Sequence, residues 1–209
     1  QSFITGELAE TLRRTNEQAS GIMHFAYMTW FRQCYDYRHI QPYPTYYAMQ
    51  RAMQPVLVSA ELWGRNLYAG EKLHTRIYVV NDNEEGRDLK PMSLIWSIVD
   101  ETDKVLASGT EQFPAVEYYG RKYIEPNIHM PSNLPADKVN AKLKLTLTEN
   151  GVTLSKNEYG LLLARKEWNI GQVAENKKIL LLDKDNMKAT LDFLNIACQT
   201  VPSIKELLN

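Results

Sequence analysis

At 209 residues the chain has room for one large or two small domains, and its 44% hydrophobic and 23% charged content excludes a disordered chain. Lys+Arg 24 against Asp+Glu 25 leaves a formal net charge of -1, which offers no basic footprint for nucleic acid and no polybasic membrane anchor. No apolar run approaches the ~20 residues that span a bilayer, and the two cysteines, Cys34 and Cys198, have neither a CxxC spacing nor a histidine partner, so two unpaired thiols are expected and no metal site.

From Gln1 to about Pro55 the pattern reads helix, strand, helix. Thr5 is expected to cap a first helix whose face carries Leu8 and Leu12, with Arg13 and Arg14 near its C-terminal end, where the macrodipole favours cations. Ser20 to Met28 is a nearly continuous apolar run of the kind found in strands buried on both faces. A polar, aromatic loop follows to Tyr43. Pro44 then opens a second helix in its first turn and Pro55 closes it, with Tyr46, Met49 and Met53 on one face.

From Val56 to Trp168 the period changes to two. Val56, Val58, Ala60 and Leu62 alternate with their neighbours, as do Leu73, Thr75, Ile77 and Val79, then Met92, Leu94, Trp96 and Ile98, then Leu143, Leu145 and Leu147. Asn150-Gly151 is the dipeptide favoured in a type I′ hairpin, whose two central residues need positive φ. Pro126 demotes the strand around Tyr123–Met130 to an edge or a bulge. About seven strands at this spacing predict an immunoglobulin-like antiparallel β-sandwich, its core supplied by Trp96 and the aliphatic ladder. The chain is therefore expected to be mainly β.

After Gly171 the pattern shifts again. Lys178–Leu182 predicts a short buried strand, Asp183–Asn186 a turn, Met187, Leu191 and Leu194 one face of a helix, Ile196–Val201 a second strand, and Ser203–Leu208 a short helix. This is one β-α-β unit, too small to bury a sheet alone.

Chemistry is hard to place. The acidic pairs Glu84-Glu85, Asp100-Glu101 and Asp183-Lys184-Asp185 fall in turns, where solvated side chains are expected, and Asn81-Asp82-Asn83 lacks the spacing of a calcium loop. No phosphate-cradling glycine pattern occurs, the four histidines are scattered, and His24, expected in the buried strand as a satisfied core residue, has no serine or cysteine placed to complete a triad. No cofactor is expected. One aromatic set stands out, comprising Phe25, Tyr27, Trp30, Phe31, Tyr35 and Tyr37 at the end of the apolar strand and in its loop, where flat rings could stack on a sugar or simply cover neighbouring structure.

Two stretches carry a family resemblance. Ser20-Gly21-Ile22-Met23-His24-Phe25, followed by Pro44-Thr45-Tyr46-Tyr47-Ala48-Met49-Gln50-Arg51-Ala52-Met53-Gln54-Pro55-Val56, resembles family 2 glycoside hydrolases. There an (α/β)8 barrel ends with an SG-(apolar)3-aromatic strand, and a helix of the type YYAxxRAxxPV leads into an immunoglobulin-like sandwich. Tyr78-Val79-Val80-Asn81-Asp82 and Asn157-Glu158-Tyr159 resemble strands of that sandwich. The family's barrel-end tryptophan, which floors the sugar site, falls on Phe25, with Trp30 as the alternative platform; these are the two candidate substrate-binding residues. The family's two catalytic glutamates would both precede Gln1, and Asn16-Glu17 and Asn157-Glu158 match the acid/base dipeptide without matching its position.

The resemblance implies three segments: residues 1–55 as the last strand and helices of a barrel, 56–170 as the sandwich, and 171–209 as the start of a small α/β module. It implies the accessory, non-catalytic C-terminal portion of a retaining β-glycosidase, periplasmic or extracellular, whose intact parent takes a β-linked glycan. The chain begins at Gln1 and not at a methionine, so an excised or processed start is expected, and without its barrel the segment Ile22–Met28 is expected to pair with another chain, pack on the sandwich or lack order. The alternative function is a stand-alone carbohydrate-binding or adhesion sandwich, with Tyr78, Tyr118, Tyr119 and Tyr123 in a line on one face.

Overall fold

The structure is a computed structural model and describes residues 1–15, 18, 21–23, 30–33, 35–169, 179–182, 187–194 and 196–203. Of the expected buried strand, residues 20 and 24–28 fall outside the described residues, while 21–23 form no strand and Met23 is 97% exposed; the turn at 183–186 and the final helix at 204–208 also lie outside the described residues.

Two helices precede the main body. Helix α1 runs from Ser2 to Thr15 and α2 from Pro44 to Ala52, with Pro44 in its first turn, where a missing N–H costs nothing. Between them, strands β1 (Phe31–Arg32) and β2 (Gln41–Pro42) pair antiparallel. Helix α1 starts earlier than the Thr5 cap implies, for the Thr5 amide already donates to the Gln1 carbonyl at 3.0 Å. Gly6 lets the helices approach closely: a Cβ there would sit 3.3 Å from the Ala48 Cβ.

Strand outweighs helix in the remainder. Strands β3 (Val56–Glu61), β5 (Arg76–Asn81) and β8 (Arg121–Ile124) form one antiparallel sheet in the order β3-β5-β8. Strands β4 (Asn66–Tyr68), β6 (Met92–Asp100), β7 (Val105–Phe113), β9 (Lys138–Glu149) and β10 (Val152–Ala164) form a second, in the order β4-β10-β9-β6-β7. Within these two sheets β4 pairs parallel to β10 and the other pairs run antiparallel. The two sheets enclose one core: Val58, Ala60, Ile77 and Val79 from the first meet Leu94, Trp96, Ile98, Leu143, Leu145 and Leu147 from the second. The period-two pattern has this physical cause, since alternate side chains of each strand point into the shared interior.

Local signals hold where the chain is locally determined. Asn150 (φ 50°) and Gly151 (φ 81°) both occupy the left-handed region at the β9–β10 turn, as the type I′ dipeptide predicts. Strand β8 is an edge strand that ends at Ile124, before Pro126. Two expectations fail. Strand β3 does not alternate, because Val56 to Ala60 are all buried: helix α1 lies over one face and the core fills the other. The Asn81–Asn83 turn is not solvated either. Asn81 is fully buried, and its amide nitrogen reaches the Arg87, Val116 and Glu117 carbonyls at 3.0, 3.2 and 3.1 Å, so it ties two loops together.

Glu149 anchors the end of β9. Arg87 Nη2 approaches one carboxylate oxygen at 2.9 Å, and the Lys90 amide donates to the other at 2.6 Å. The Arg87 guanidinium, ahead of that amide bond, holds the Glu149 carboxyl below the usual glutamate range against the effect of burial. A carboxyl lowered in the folded state stabilises the fold above its unfolded value of about 4.3, and that stabilisation is lost as pH falls through the folded value. Urea midpoints at stepped pH should therefore fall less steeply below about pH 4 in Glu149→Gln than in the parent chain. Equal slopes in the two proteins would contradict this role.

At the C-terminal end, β11 (Leu180–Leu181) and β12 (Gln199–Thr200) pair parallel, with helix α3 (Met187–Phe193) between them. The β-α-β unit is present as expected. Its helix buries no residue completely, and Met187, expected on the packed face, is exposed.

Candidate functional site: a buried polar node beneath helix α1

Helix α1 sits on the sheets by its polar side. Its buried residues are Gly6, Ala9, Glu10 and Arg14, whereas Leu8, expected on the packed face, is exposed together with Phe3 and Ile4. The helix is thus rotated relative to its hydrophobic pattern. The reason lies in strands β3 and β10, which offer a set of polar partners that no local pattern discloses.

Ser59, on the face of β3 that α1 covers, is fully buried, and Asn157 and Tyr159 of β10 are nearly so. All three converge on the Glu10 carboxylate. The Tyr159 hydroxyl donates to Oε2 at 2.6 Å, the Ser59 hydroxyl donates to the same oxygen, and Asn157 Nδ2 donates to Oε1 at 2.9 Å. Arg14, one turn along the helix, places its guanidinium 3.6 Å from Glu10 Oε2 and donates to the Ser59 hydroxyl and, at 3.3 Å, to the Ala60 carbonyl. Arg14 Nη2 donates to the Thr11 hydroxyl at 3.0 Å. A buried charge pair survives only where its remaining donors and acceptors are satisfied, and this node meets that condition.

The same side chains protect a sheet edge. The Val58 amide donates to the Ser155 hydroxyl and the Ala60 amide to the Tyr159 hydroxyl, both at 3.0 Å, while Asn157 Nδ2 donates to the Val58 carbonyl at 3.0 Å. The free edge of β3 is therefore closed by side chains of the opposite sheet, which removes a row of unpaired backbone groups. Burial, and then the Glu10 carboxylate beside it, push the Tyr159 phenol well above the usual tyrosine range, so the hydroxyl remains a donor at any physiological pH.

Arg13 adds a second clamp. Its Nη1 donates to the Ala52 and Gln54 carbonyls at 2.6 and 2.8 Å, at the end of α2, and its Nη2 pairs with Asp82 at 2.8 Å. A cation there satisfies orphan carbonyls and complements the dipole of α2. Arg65 pairs with Glu7 and lies over the rings of Phe3 and Tyr159, at 4.7 and 5.5 Å from their centroids. One face of α1 is held by five polar or charged residues.

The arrangement is suited to holding. Glu10 is 5% exposed and its two oxygens are occupied by protein donors, while Glu7 and Glu158, which line the same cleft, pair with Arg65 and Lys142. Among the described residues no group of three or more histidines, cysteines or carboxylates could hold a metal. Asn157, in the dipeptide that matched an acid/base motif, is a buried structural donor, and the neighbouring Glu158 points to the surface and pairs with Lys142 at 3.6 Å.

The sequence-derived site residues are distributed as follows. Phe25 lies outside the described residues, as do Tyr27, Asn16 and Glu17. Trp30 is half-buried and packs with Ile22 on Ala9, Met49 and Ala52, in a small core between the two helices. Phe31 meets the Tyr46 ring at 5.3 Å, while Tyr35 and Tyr37 are exposed. Of the tyrosines placed on a line, Tyr78 and Tyr123 are cross-strand partners with rings 5.1 Å apart, and Tyr118 and Tyr119 form a separate pair at 4.3 Å. Tyr78 is partly covered, with the Arg14 guanidinium 6.0 Å from its ring centroid. The sequence signals that touched the node were the Arg13-Arg14 pair, which pointed to a helix end, and Asn157-Glu158-Tyr159, which pointed to a sandwich strand.

No protein-family model matches the sequence, and no curated protein matches it. Among solved structures, the chain is similar to the exo-chitosanase CsxA of Amycolatopsis orientalis, with 16% identity and a TM-score of 0.41 over 57% of this chain and 12% of that one. It is similar to a β-glucuronidase from glycoside hydrolase family 2, with 14% identity and a TM-score of 0.38 over 53% of this chain and 11% of that one. A glycosyl hydrolase family 2 member from Bacteroides cellulosilyticus aligns with 10% identity and a TM-score of 0.36, over 51% of this chain and 14% of that one. The chain thus covers only a small part of each enzyme, and likenesses at these scores carry no assignment. No helix among the described residues is long and apolar enough to cross a membrane.

Proposed function

We propose that the chain is the non-catalytic C-terminal portion of a retaining β-glycosidase of family 2 type, in which an immunoglobulin-like sandwich braces the end of the catalytic barrel. The observation that carries this reading is the inverted amphipathicity of helix α1. Its polar face is locked to the sheets through Glu10 and Arg14 and to the end of α2 through Arg13, and its apolar residues Ile4 and Leu8 face away, 68% and 57% exposed. A helix that ended its contacts there would leave a hydrophobic stripe in water. A helix between two bodies uses both faces, the polar one for the sandwich and the apolar one for neighbouring helices of a barrel.

On this reading residues 1–55 are the end of the barrel, 56–170 the brace and 171–209 the start of a further α/β module. The parent would hydrolyse a β-linked glycan through a covalent glycosyl-enzyme on two carboxylates about 5–5.5 Å apart. This portion supplies neither. The purified chain is expected to show no turnover of nitrophenyl β-glycosides above buffer, and measurable turnover would refute the reading. The reading frame around Gln1 provides a second check. An upstream barrel with two suitably placed glutamates supports the brace, and a frame without one removes it.

The stand-alone carbohydrate-binding or adhesion module is the second reading. The partial cover over Tyr78 and the separation of the Tyr118–Tyr119 pair favour it less than four exposed rings in line would.

A further inference from the structure

We infer that the cleft beside Trp63, at the end of the three-stranded sheet, is a binding site for a neutral glycan. Trp63 lies two residues past the end of β3 and is 90% exposed. Yet the ring is held in place. Its Nε1–H donates to Glu61 Oε1 at 3.1 Å, and the other Glu61 oxygen accepts from the Tyr78 hydroxyl at 3.4 Å. An indole exposed to this degree loses hydrophobic stabilisation, and its hydrogen bond fixes a face that water alone would leave free to turn.

Trp63 borders a cleft of about 330 Å³, near the lower bound of small-molecule sites. Buried Leu73 and Pro126 supply apolar lining. Around them stand Glu61, Lys72, His74, Arg76 and Glu125. Arg76 Nε pairs with Glu125 Oε1 at 3.3 Å, and its guanidinium lies 5.0 Å from the Tyr123 centroid, so the polar wall is braced from behind. Two carboxylates face two permanent cations, so the cleft has no net charge to attract an ion.

A flat apolar platform, a fixed set of planar donors and acceptors, and charge balance together select a ligand with one apolar ring face and a rim of hydroxyls. A pyranose in a neutral oligosaccharide has that form: its C–H face covers the indole, and its vicinal hydroxyls donate to a carboxylate and accept from a guanidinium. The site stands on its own residues and does not depend on the bracing role.

Calorimetry and ligand-observed NMR on the full chain, with neutral β-linked oligomers of glucose, galactose, mannose and N-acetylglucosamine, test the inference without relying on Trp63 as the reporter. At least one series should bind saturably with a Kd on the order of 1 mM or tighter. Trp63→Ala should weaken it about tenfold or more, and Glu125→Gln severalfold, with unchanged far-UV circular dichroism. Tyr119→Ala, away from the cleft, should bind as the parent does. The inference falls if no neutral series binds, if Trp63→Ala binds normally, if Tyr119→Ala is the variant that fails, or if only charged sugars bind. Loss of glycan binding would leave the bracing role intact, and glycosidase turnover would overturn that role without touching the cleft.

Discussion

Glu10→Leu should loosen helix α1 by about 3–5 kcal/mol, the largest effect expected of any single substitution in the N-terminal segment. The leucine fits the space but accepts nothing. It strands the Tyr159 and Ser59 hydroxyls, one Asn157 N–H and the Arg14 charge in a site where Glu10 and Arg14 are each 5–6% exposed. Unpaired buried donors cost their full desolvation, and an orphaned buried cation costs more. The loss should be felt as local release of the helix, because the two-sheet core contains no α1 side chain. Tryptic cleavage after Arg13 and Arg14 should therefore accelerate about a hundredfold or more, well ahead of any change in the urea midpoint of the sheets. Adding Arg14→Leu should recover part of the loss, since no buried charge is then left unpaired, although the Tyr159, Ser59 and Asn157 donors still lack their acceptor. If cleavage in Glu10→Leu stays within about threefold of the parent rate, the node does not hold the helix.

The second large effect lies in the core. Gly109→Val should destabilise the sheets by roughly 3 kcal/mol. Gly109 of β7 faces Trp96 of β6 across the ladder, and a Cβ there would lie 2.6 Å from the indole Cζ2 and 2.7 Å from Cε2. The contacts are with a rigid ring, 7% exposed and enclosed by core side chains, so it cannot swing aside as a flexible chain end would. Glycine normally weakens a strand, and here its missing side chain is the space the tryptophan occupies. Trp96→Leu combined with Gly109→Val should cost less than the sum of the two single changes, and urea denaturation of the four proteins measures the coupling. Additive losses would show that the two residues do not share one volume.

Comparing these two sites shows which kinds of information are local. Trp96 was legible as a core residue from alternation alone, because a strand's two faces repeat every second residue and the apolar set marks the inner one. Its dependence on Gly109 was not legible, since the pairing requires the β6–β7 register. Helix α1 shows the opposite outcome. The period placed Leu8 and Leu12 inside, whereas Glu10 and Arg14 are what the sheets take in. Hydrophobic periodicity assumes that an apolar face is the one to be buried first. A set of pre-aligned polar partners on β3 and β10 reverses that order here. The aromatic loop suggested a sugar platform at Trp30, which is half-buried and packs on Ala9, Met49 and Ala52, while the exposed Trp63 carried no pattern at all.

By itself, then, the sequence determined the strand faces, the Asn150-Gly151 turn, the proline-led start of α2 and the β-α-β order at the C-terminal end. Each depends on residues a few positions apart, where sterics and side-chain period act directly. Only the tertiary structure decided which face of α1 is buried, how the free edge of β3 is closed and where an exposed indole meets a charged cleft. Those outcomes join residues as far apart as Glu10 and Tyr159, separated by 149 positions, and no local rule reaches across such a gap.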